Sequence, residues 1–453
     1  MERIKLSEHF NYKRLLRFVF PSIVMMVFTS IYSIVDGFFV SNYAGERPFA
    51  ALNLIFPLIM ILGSVGFMLG TGGNAVVSKA LGEGDNQKAN CIFSMLVYMT
   101  VVLGFMLSAI GILLAPTVAK WFAASEKGLN EAERAELIDY CVIYARIILA
   151  VLPAFMLQNA FQGFFVTAEK PRLGLYVTVV AGVGNIIFDF LFVAVFEWGI
   201  VGAAVATALN QVIGGVVPVL YFARKNDSLL RLGKTKFDGK TLGKVCINGL
   251  SELMTNISMS VVTILYNAQL MSFIGIAGVS AYGIMQYLGF IFIGVFIGYS
   301  VGCAPIIGFH FGAQNHDELK NIFKKSLTIV GTLGIGMAVI AFAFAKLLSG
   351  VFVSYDTELL AITTHGMRIY SIAFLASGLN IFASAFFTAL SNGGISLLIS
   401  FARTLVCQVI TVLILPVFFG VDGIWASLVV AELITLVLSV ILFIAQRKHY
   451  RYA

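Results

Sequence analysis

The chain has 453 residues, of which 59% are hydrophobic and only 12% are charged, and its formal net charge is +7. Soluble proteins carry about 25% charged residues, so this composition excludes a soluble globular domain and indicates an integral membrane protein. The positive charge does not indicate nucleic-acid binding, because the basic residues concentrate between apolar runs, where they set membrane topology and meet lipid headgroups.

Apolar runs long enough to cross a bilayer as helices recur along the whole chain. The five cysteines lie within or beside these runs without a CxxC or Cys/His cluster, so neither a disulfide framework nor a metal site is expected from them. We predict twelve membrane-spanning helices near residues 15–41, 49–79, 91–118, 137–168, 172–196, 199–223, 244–274, 279–309, 324–346, 362–390, 394–419 and 423–446.

The basic residues are distributed unequally over the two sides of the predicted bundle. When the loops are assigned to alternate sides, both terminal segments and the basic linker 224–243 fall on the strongly positive side. This excess predicts that both termini and the linker are cytoplasmic. Three arginines near helix ends are expected to extend toward the membrane interface: Arg146, Arg368 and Arg403.

The two halves of the chain resemble each other. Residues 70–94 align with residues 300–324 without gaps at an offset of 230, and farther along the offset is 221. Identical pairs include Gly72 and Gly302, Gly82 and Gly312, Asn159 and Asn380, and Gly199 and Gly420. Six helices repeated six helices later, in the same orientation, predict two pseudo-symmetric lobes, with a substrate path between them.

The repeat therefore divides the chain into three parts. We predict an N-lobe over residues 1–223, a cytoplasmic basic linker over 224–243 and a C-lobe over 244–453. The fold class is all-α, with twelve transmembrane helices in two six-helix lobes, which is a plan typical of secondary transporters.

Polar residues deep inside the predicted spans differ between the halves. The acidic residues there are Asp36, Asp189, Glu252 and Glu432. At the repeat offsets Asp36 falls on Tyr266, Asn185 and Asp189 fall on Val406 and Ile410, and Thr207 falls on Leu428. The first half thus collects Asp36, Asn185, Asp189 and Thr207 where the second half is largely apolar.

These four residues are interpreted as a site for a coupling cation. An ionised carboxylate in mid-bilayer costs roughly 2.5–3.5 kcal/mol on insertion scales, so such residues are rare and usually functional. Two carboxylates facing each other share a proton or take up a cation. Asn185 and Thr207 add neutral oxygens that Na⁺ accepts. The alternative is helix packing, which is the favoured explanation for Thr207 alone, because Asn and Thr often hold helices together.

Further polar and aromatic residues are candidates for a substrate or C-lobe polar site. Glu252 and Glu432 are acidic, although a satisfied hydrogen bond between helices is the favoured explanation for Glu432. Tyr266 belongs to a set of Tyr, Met and Phe residues that would form an adaptable wall. Gln158 and Asn159 lie on the fourth predicted helix, where they can face a central cavity. Asn159 has an equal in Asn380, which favours a structural role for it.

Three stretches resemble the multidrug and toxic compound extrusion (MATE) transporters. They are PSIVMMVFTSIYSIVDGFFVS (21–41), GTGGNAVVSKALGEGD (70–85) and GNIIFDFLFV (184–193). The similarity covers essentially the whole chain and is greatest to the prokaryotic branch with an acidic N-lobe. It implies an inner-membrane protein that exports organic, often cationic and amphipathic compounds in exchange for H⁺ or Na⁺.

The resemblance also implies roles for individual residues. The N-lobe cation site of the family corresponds to Asp36, Asn185, Asp189 and Thr207, and a proline associated with bending of helix 1 corresponds to Pro21. Glu252 matches an acidic residue that some members use on helix 7. The acidic residue that those members place on helix 10 has no counterpart, because 362–390 contains neither Asp nor Glu.

The leading prediction is a secondary active multidrug efflux antiporter that works by alternating access. The alternative within the same superfamily is a flippase for lipid-linked precursors, but those proteins carry extra helices and several cationic residues along the cavity. A membrane-embedded prenyl transferase would need paired DxxxD motifs, which the sequence lacks. We expect no enzymatic activity, no cofactor besides the coupling ion, and a monomer whose partners are small organic substrates and membrane lipids.

Overall fold

The computed structural model describes residues 4–125, 130–353 and 356–453, and within these ranges the regular structure is entirely helical. The α-helices are α1 (Tyr12–Phe39), α2 (Glu46–Gly82), α3 (Asn86–Ser125), α4 (Glu131–Ala150), α5 (Leu152–Thr167), α6 (Pro171–Asp189), α7 (Gly199–Ala223), α8 (Gly239–Gly312), α9 (His316–Ala343), α10 (Ala345–Val353), α11 (Thr357–Ser371), α12 (Phe374–Ala389), α13 (Gly393–Phe401) and α14 (Cys407–Tyr450).

The helices confirm the predicted fold class. Eight helical stretches in the described residues are long and apolar enough to cross a membrane, and there are ten when two bent helix pairs each count as one span. Two of the ten are divided by glycines with non-helical backbone, Gly275 in α8 (φ 67°) and Gly420 in α14 (φ 57°). The result is an all-α, twelve-span membrane protein with two lobes.

Two predicted spans are bent rather than straight. The span expected at 137–168 consists of α4 and α5, which meet at an angle of 57°. Pro153 lies in the first turn of α5, where its missing N–H and fixed φ begin a new helix after Val151. The span expected at 362–390 consists of α11 and α12, which meet at 51°. A continuous apolar pattern does not reveal such bends.

Three π-helical turns extend or interrupt the spans. They follow α1 (Val40–Ala44), α6 (Phe190–Val195) and α13 (Ala402–Val406). A π turn accommodates one residue more than the α-helix around it and occurs frequently at functional sites. The second of these turns begins directly after Asp189.

The chain forms two compact units. Unit 1 contains Met1–Val27, Ser78–Gly84 and Leu250–Ala453, and unit 2 contains Phe28–Val77 and Asp85–Gly249. The lobe boundaries inferred from the repeat stay a prediction.

In unit 2 the basic linker lies along α3. The side chain of Asn90 accepts a hydrogen bond from the Arg231 backbone N–H at 2.6 Å, and the Thr235 hydroxyl donates to the Cys91 carbonyl at 2.8 Å. An aromatic cluster near the same end of α3 is built around Phe93, whose ring centroid lies 5.0 Å from that of Phe164. The linker is therefore fixed to this unit by side-chain contacts.

In unit 1 two glycines show the sequence repeat as a reciprocal contact. A Cβ atom added to Gly82 would lie 2.0 Å from the Phe309 carbonyl oxygen, and one added to Gly312 would lie 2.1 Å from the Lys79 carbonyl oxygen. The offset of 230 relates Gly82 to Gly312 and Lys79 to Phe309. The contact between Gly82 and Phe309 in one direction is therefore repeated as the contact between Gly312 and Lys79 in the other. The ends of α2 and α8 approach closely only because both positions lack a side chain.

Candidate functional site

The four residues predicted to form a cation site all lie in unit 2. Asp36 occupies the last turns of α1, Asn185 and Asp189 occupy the end of α6, and Thr207 lies in the middle of α7. Asn185 and Asp189 are fully buried, while Asp36 and Thr207 are half-buried. Because residues four apart share one face of a helix, α6 directs both of its polar side chains the same way.

Direct contacts join these side chains. The Asn185 Nδ2 donates to Asp189 Oδ2 at 3.0 Å, and the Thr207 hydroxyl donates to Asp36 Oδ1 at 3.4 Å. The carboxyl groups of Asp36 and Asp189 lie within hydrogen-bonding reach of each other. The structure therefore brings all four predicted residues into one cluster, which is what a shared site requires.

Several acceptor atoms around the cluster have no donor. Among the described residues, Asp189 Oδ1, Asn210 Oδ1 and Gln211 Oε1 are buried and accept no hydrogen bond. Asn210 is only 3% exposed and lies within hydrogen-bonding reach of the Tyr32 hydroxyl. A buried oxygen without a partner costs about 1–3 kcal/mol, so these atoms are suited to a ligand that supplies positive charge.

Asn210 and Gln211 are not among the site residues predicted from the sequence. Both lie on α7, three and four residues after Thr207, and thus on the same helical face. That spacing was the signal available in the sequence. Tyr144 on α4, which lies within hydrogen-bonding reach of Thr207, is likewise not among the predicted site residues.

The chemistry of this cluster fits a proton or a small hard cation. Two adjacent carboxyl groups in a buried place cannot both ionise without a counter-charge. A proton shared between Asp36 and Asp189 removes one of the two negative charges, and a Na⁺ bound between them offsets one of the two and is ligated by carboxylate, amide and hydroxyl oxygens. No basic side chain contacts the two carboxyl groups among the hydrogen bonds and ion pairs of the described residues.

Pro21, Gln158 and Asn159 lie outside this cluster. Pro21 is inside α1, so the Arg17 carbonyl has no helical donor at this point, and the kink at Pro21 stays a prediction. Asn159 donates from Nδ2 to the Phe155 carbonyl at 3.0 Å within its own helix. Gln158 packs against Gly214 of α7, where an added Cβ atom would lie 2.6 Å from the amide carbon.

Glu432 forms a different cluster in unit 1. Its carboxylate accepts a hydrogen bond from Arg403 Nε at 2.8 Å and another from Asn380 Nδ2 at 2.7 Å. The Ser439 hydroxyl donates to Asn380 Oδ1 at 2.9 Å. The expectation that Arg403 extends toward the membrane interface is wrong, because its side chain is only 15% exposed and is paired with Glu432.

The remaining candidates, Glu252 and Tyr266, also lie in unit 1. Glu252 is half-buried on α8 within electrostatic range of the Arg403 guanidinium. Tyr266 is buried, and its ring stacks on Tyr282 with centroids 4.8 Å apart. Arg403 is therefore paired with Glu432 and within electrostatic range of Glu252, the two acidic candidates of this unit, a role that its position near a predicted helix end did not suggest.

Comparison with known families identifies the chain. The family model described as MatE matches residues 21–191 and 253–414, which is well over half of the sequence. The chain belongs to the MatE family. The matched residues include Asp36, Asn185 and Asp189, so three of the four residues of the predicted cation site lie within the ranges that match the MatE family model.

Alignments with multidrug export proteins extend over nearly the whole chain. The multidrug export protein MepA of Staphylococcus haemolyticus is 24% identical over 441 residues, which is 96% of the chain and 94% of the relative. MepA of Staphylococcus aureus is 22% identical over 424 residues, or 93% and 91% of the two chains.

Solved structures show the same fold. A MATE protein in its straight conformation superposes with a TM-score of 0.90 at 19% identity, over 99% of the chain and 98% of its own. A MOP superfamily transporter from Pyrococcus furiosus superposes with a TM-score of 0.88 at 20% identity over 100% of both chains. Members of the MatE family are transporters and not enzymes, so the family match assigns this chain to the multi-pass membrane transporters.

Proposed function

We propose that this transporter exports organic, often cationic and amphipathic compounds in exchange for H⁺ or Na⁺. The observation that carries the exchange is the pair of contacting carboxyl groups, Asp36 and Asp189, with Asn185 and Thr207 as neighbouring polar groups. The substrate class is supported by the relatives, which are multidrug export proteins and align over more than nine-tenths of the chain.

The coupling follows from the charge of the cluster. When the transporter is open outward, a proton or Na⁺ binds between Asp36 and Asp189 and removes the repulsion between them. The two conformations then differ in their affinity for the ion, so ion binding shifts the equilibrium between them. Asp36 lies on α1 together with Pro21, and a proline within a helix is a common place for a kink. Rearrangement of α1 at Pro21 then releases the compound.

The location follows from the basic residues. We propose that the protein lies in the inner membrane of a prokaryote, with both ends and the linker 224–243 in the cytoplasm and with lipid headgroups against the basic loops. We also propose that it acts as a monomer and that it needs no cofactor besides the coupling ion.

Transport by the purified protein in sealed vesicles tests the coupling. A fluorescent organic cation is loaded, and its efflux is followed under an imposed pH gradient without Na⁺ and under a Na⁺ gradient without a pH difference. We expect one of the two gradients to drive efflux by the wild-type protein, and we expect Asp36→Asn and Asp189→Asn to abolish this gradient-dependent part. The effective gradient identifies the ion.

The matched control is Asp139→Asn, which changes an exposed aspartate on α4 of the same unit. It should transport as the wild type does. Undiminished gradient-driven efflux in both Asp36→Asn and Asp189→Asn would overturn the coupling role of the cluster, and a loss in Asp139→Asn would show that the assay responds to any lost carboxylate.

A further inference from the structure

A groove on unit 1 is not used by the transport mechanism. It has a volume of about 400 Å³ and is lined by side chains of α9, α12 and α14 together with the last two residues of the chain. The wall is almost wholly apolar and includes Leu327, Leu379, Leu436, Val440 and Ile444. Arg447 lies at one end and is the only charged residue among the lining side chains.

The end of the chain forms one wall of this groove. Arg451 adopts a left-handed backbone conformation (φ 55°, ψ 38°), which turns the chain back toward α14. Tyr452 is then fully buried, and its hydroxyl donates to the Phe443 carbonyl at 2.8 Å. Its ring lies against Phe323 and Phe386, with centroids 4.8 Å and 4.9 Å away. One wall of the groove is therefore formed by packed aromatic rings.

Basic residues are concentrated at the end of the groove where Arg447 lies. Arg447 and Lys448 occupy the last turn of α14, Arg451 follows, and all three side chains are exposed. A groove that is apolar along its length and positive at one end matches a molecule with a long apolar chain and an anionic head. Arginine binds phosphate through paired N–H groups, which favours a phosphate-bearing head.

We propose that this groove binds an anionic phospholipid of the surrounding membrane, with one acyl chain along Leu436 and Val440 and the phosphate on Arg447. Basic sites at the ends of transmembrane helices are known places for anionic headgroups. A cationic amphipathic compound fits the apolar wall but is repelled by Arg447, so the groove differs in ligand class from the proposed substrate path.

Lipid binding to the purified full-length protein tests this assignment. The protein in a neutral detergent is titrated with phosphatidylglycerol or with phosphatidylcholine of the same acyl chains, and the bound lipid is counted by native mass spectrometry. We expect one phosphatidylglycerol to be retained preferentially. Arg447→Gln should weaken its binding about fivefold, which is about 1 kcal/mol. The matched control Lys448→Gln removes the same charge from a neighbour that does not line the groove and should change binding less.

A second pair of variants tests the acyl-chain wall. Val440→Trp fills the groove, whereas Val437→Trp adds the same bulk on the same helix at a residue that is 62% exposed and does not line the groove. We expect Val440→Trp to lose the bound phosphatidylglycerol and Val437→Trp to keep it. Equal retention in the two tryptophan variants, or equal binding of phosphatidylcholine and phosphatidylglycerol, would overturn the proposal. A groove that retains an organic cation in preference to phosphatidylglycerol would overturn it as well.

Discussion

Two acidic clusters inside the membrane spans differ in how their negative charge is balanced. In unit 2 Asp36 faces Asp189, and the neighbouring oxygens of Asn210 and Gln211 have no donor among the described residues. In unit 1 Glu432 is paired with Arg403 and with Asn380. The first cluster lacks a positive charge of its own, whereas the second contains one.

The repeat makes this comparison informative. At the offset of 221, Glu432 corresponds to Gln211, and Arg403 corresponds to Gly182. Gly182 has no room for an arginine, because a Cβ atom there would already lie 2.6 Å from the Phe28 ring. An internal arginine therefore neutralises one cluster. The other cluster has no such partner among the described residues, and under the proposed function it takes up H⁺ or Na⁺ from solution.

The largest effect is expected from breaking the internal pair. Arg403→Met leaves the Glu432 carboxylate buried without its cation, and removing one partner of a buried pair costs about 3–5 kcal/mol. We expect a reduction of this size in the free energy of unfolding, measured by denaturation in detergent. The double variant Arg403→Met with Glu432→Gln should recover most of the loss, since a neutral amide still accepts from Asn380. If the double variant is no more stable than the single one, the pair is not the source of the effect.

A smaller effect is expected at the glycine contact that supports the repeat. Gly312→Ala places a methyl group against the Lys79 carbonyl, and such overpacking costs about 1–3 kcal/mol. Gly331→Ala on α9 is the matched control, because a Cβ atom there meets no other atom within 4 Å. Thermal unfolding should show a loss for the first variant only. Equal stability of the two variants would contradict the close approach of α2 and α8.

A still smaller effect is expected at Thr207. Its hydroxyl reaches Asp36 over 3.4 Å, and a hydrogen bond of this kind contributes about 1 kcal/mol. Thr207→Val should weaken coupling-ion binding about fivefold, seen as a shift of the ion concentration that half-saturates efflux. Thr207→Ser keeps the hydroxyl and should shift it less. An equal shift in both variants would assign Thr207 to packing.

The smallest effect on stability is expected at Asp189, in the cluster whose two carboxyl groups have no basic partner in the described part of the chain. Asp189→Asn removes one of two facing carboxylates, so a single carboxyl group, that of Asp36, stays in the cluster and the repulsion between the two is relieved. We expect its free energy of unfolding to lie within about 1 kcal/mol of the wild-type value or above it, although ion coupling is lost. A loss as large as that of Arg403→Met would mean that the two clusters are alike and that Asp189 holds the fold together.

Much of the fold followed from the sequence because apolar runs report directly on spans. The break at Gly275 fell between two predicted helices, as did the break at Gly420. The bend after Val151 was missed, since apolar residues continue through it and only Pro153 marks it. Hydropathy depends on the composition of a segment, and a change of helix direction leaves that composition unaltered.

The site was predictable to a similar degree. Asp36 and Asp189 stood out because a carboxylate in an apolar span is costly whatever surrounds it. The pairing of Arg403 with Glu432 was not predicted, because the partners are 29 residues apart on different helices and only their three-dimensional positions join them. Asn210 and Gln211 were overlooked because neutral amides in a span have a common structural use.

The π turns change which residues of the two halves are equivalent. The second half has its additional helical residue in the π turn Ala402–Val406. The first half has it in the π turn Phe190–Val195, which lies farther along the repeat. For first-half residues between these two turns, the residue in the equivalent spatial position of the second half is 222 positions later and not 221. A shift of one residue corresponds to a rotation of about 100° around a helix. The counterpart of Asp189 is therefore Thr411 and not Ile410.

Exposure agrees with this shifted register. Ile410 is 49% exposed, whereas Thr411 is 4% exposed and Asp189 is completely buried. The Thr411 hydroxyl donates to the Ser427 carbonyl at 3.0 Å, so the position is polar in the second half as well, and there its hydrogen bond is made within the protein. An inward polar residue at this level is thus shared by both halves of the molecule, and the negative charge is what distinguishes the first.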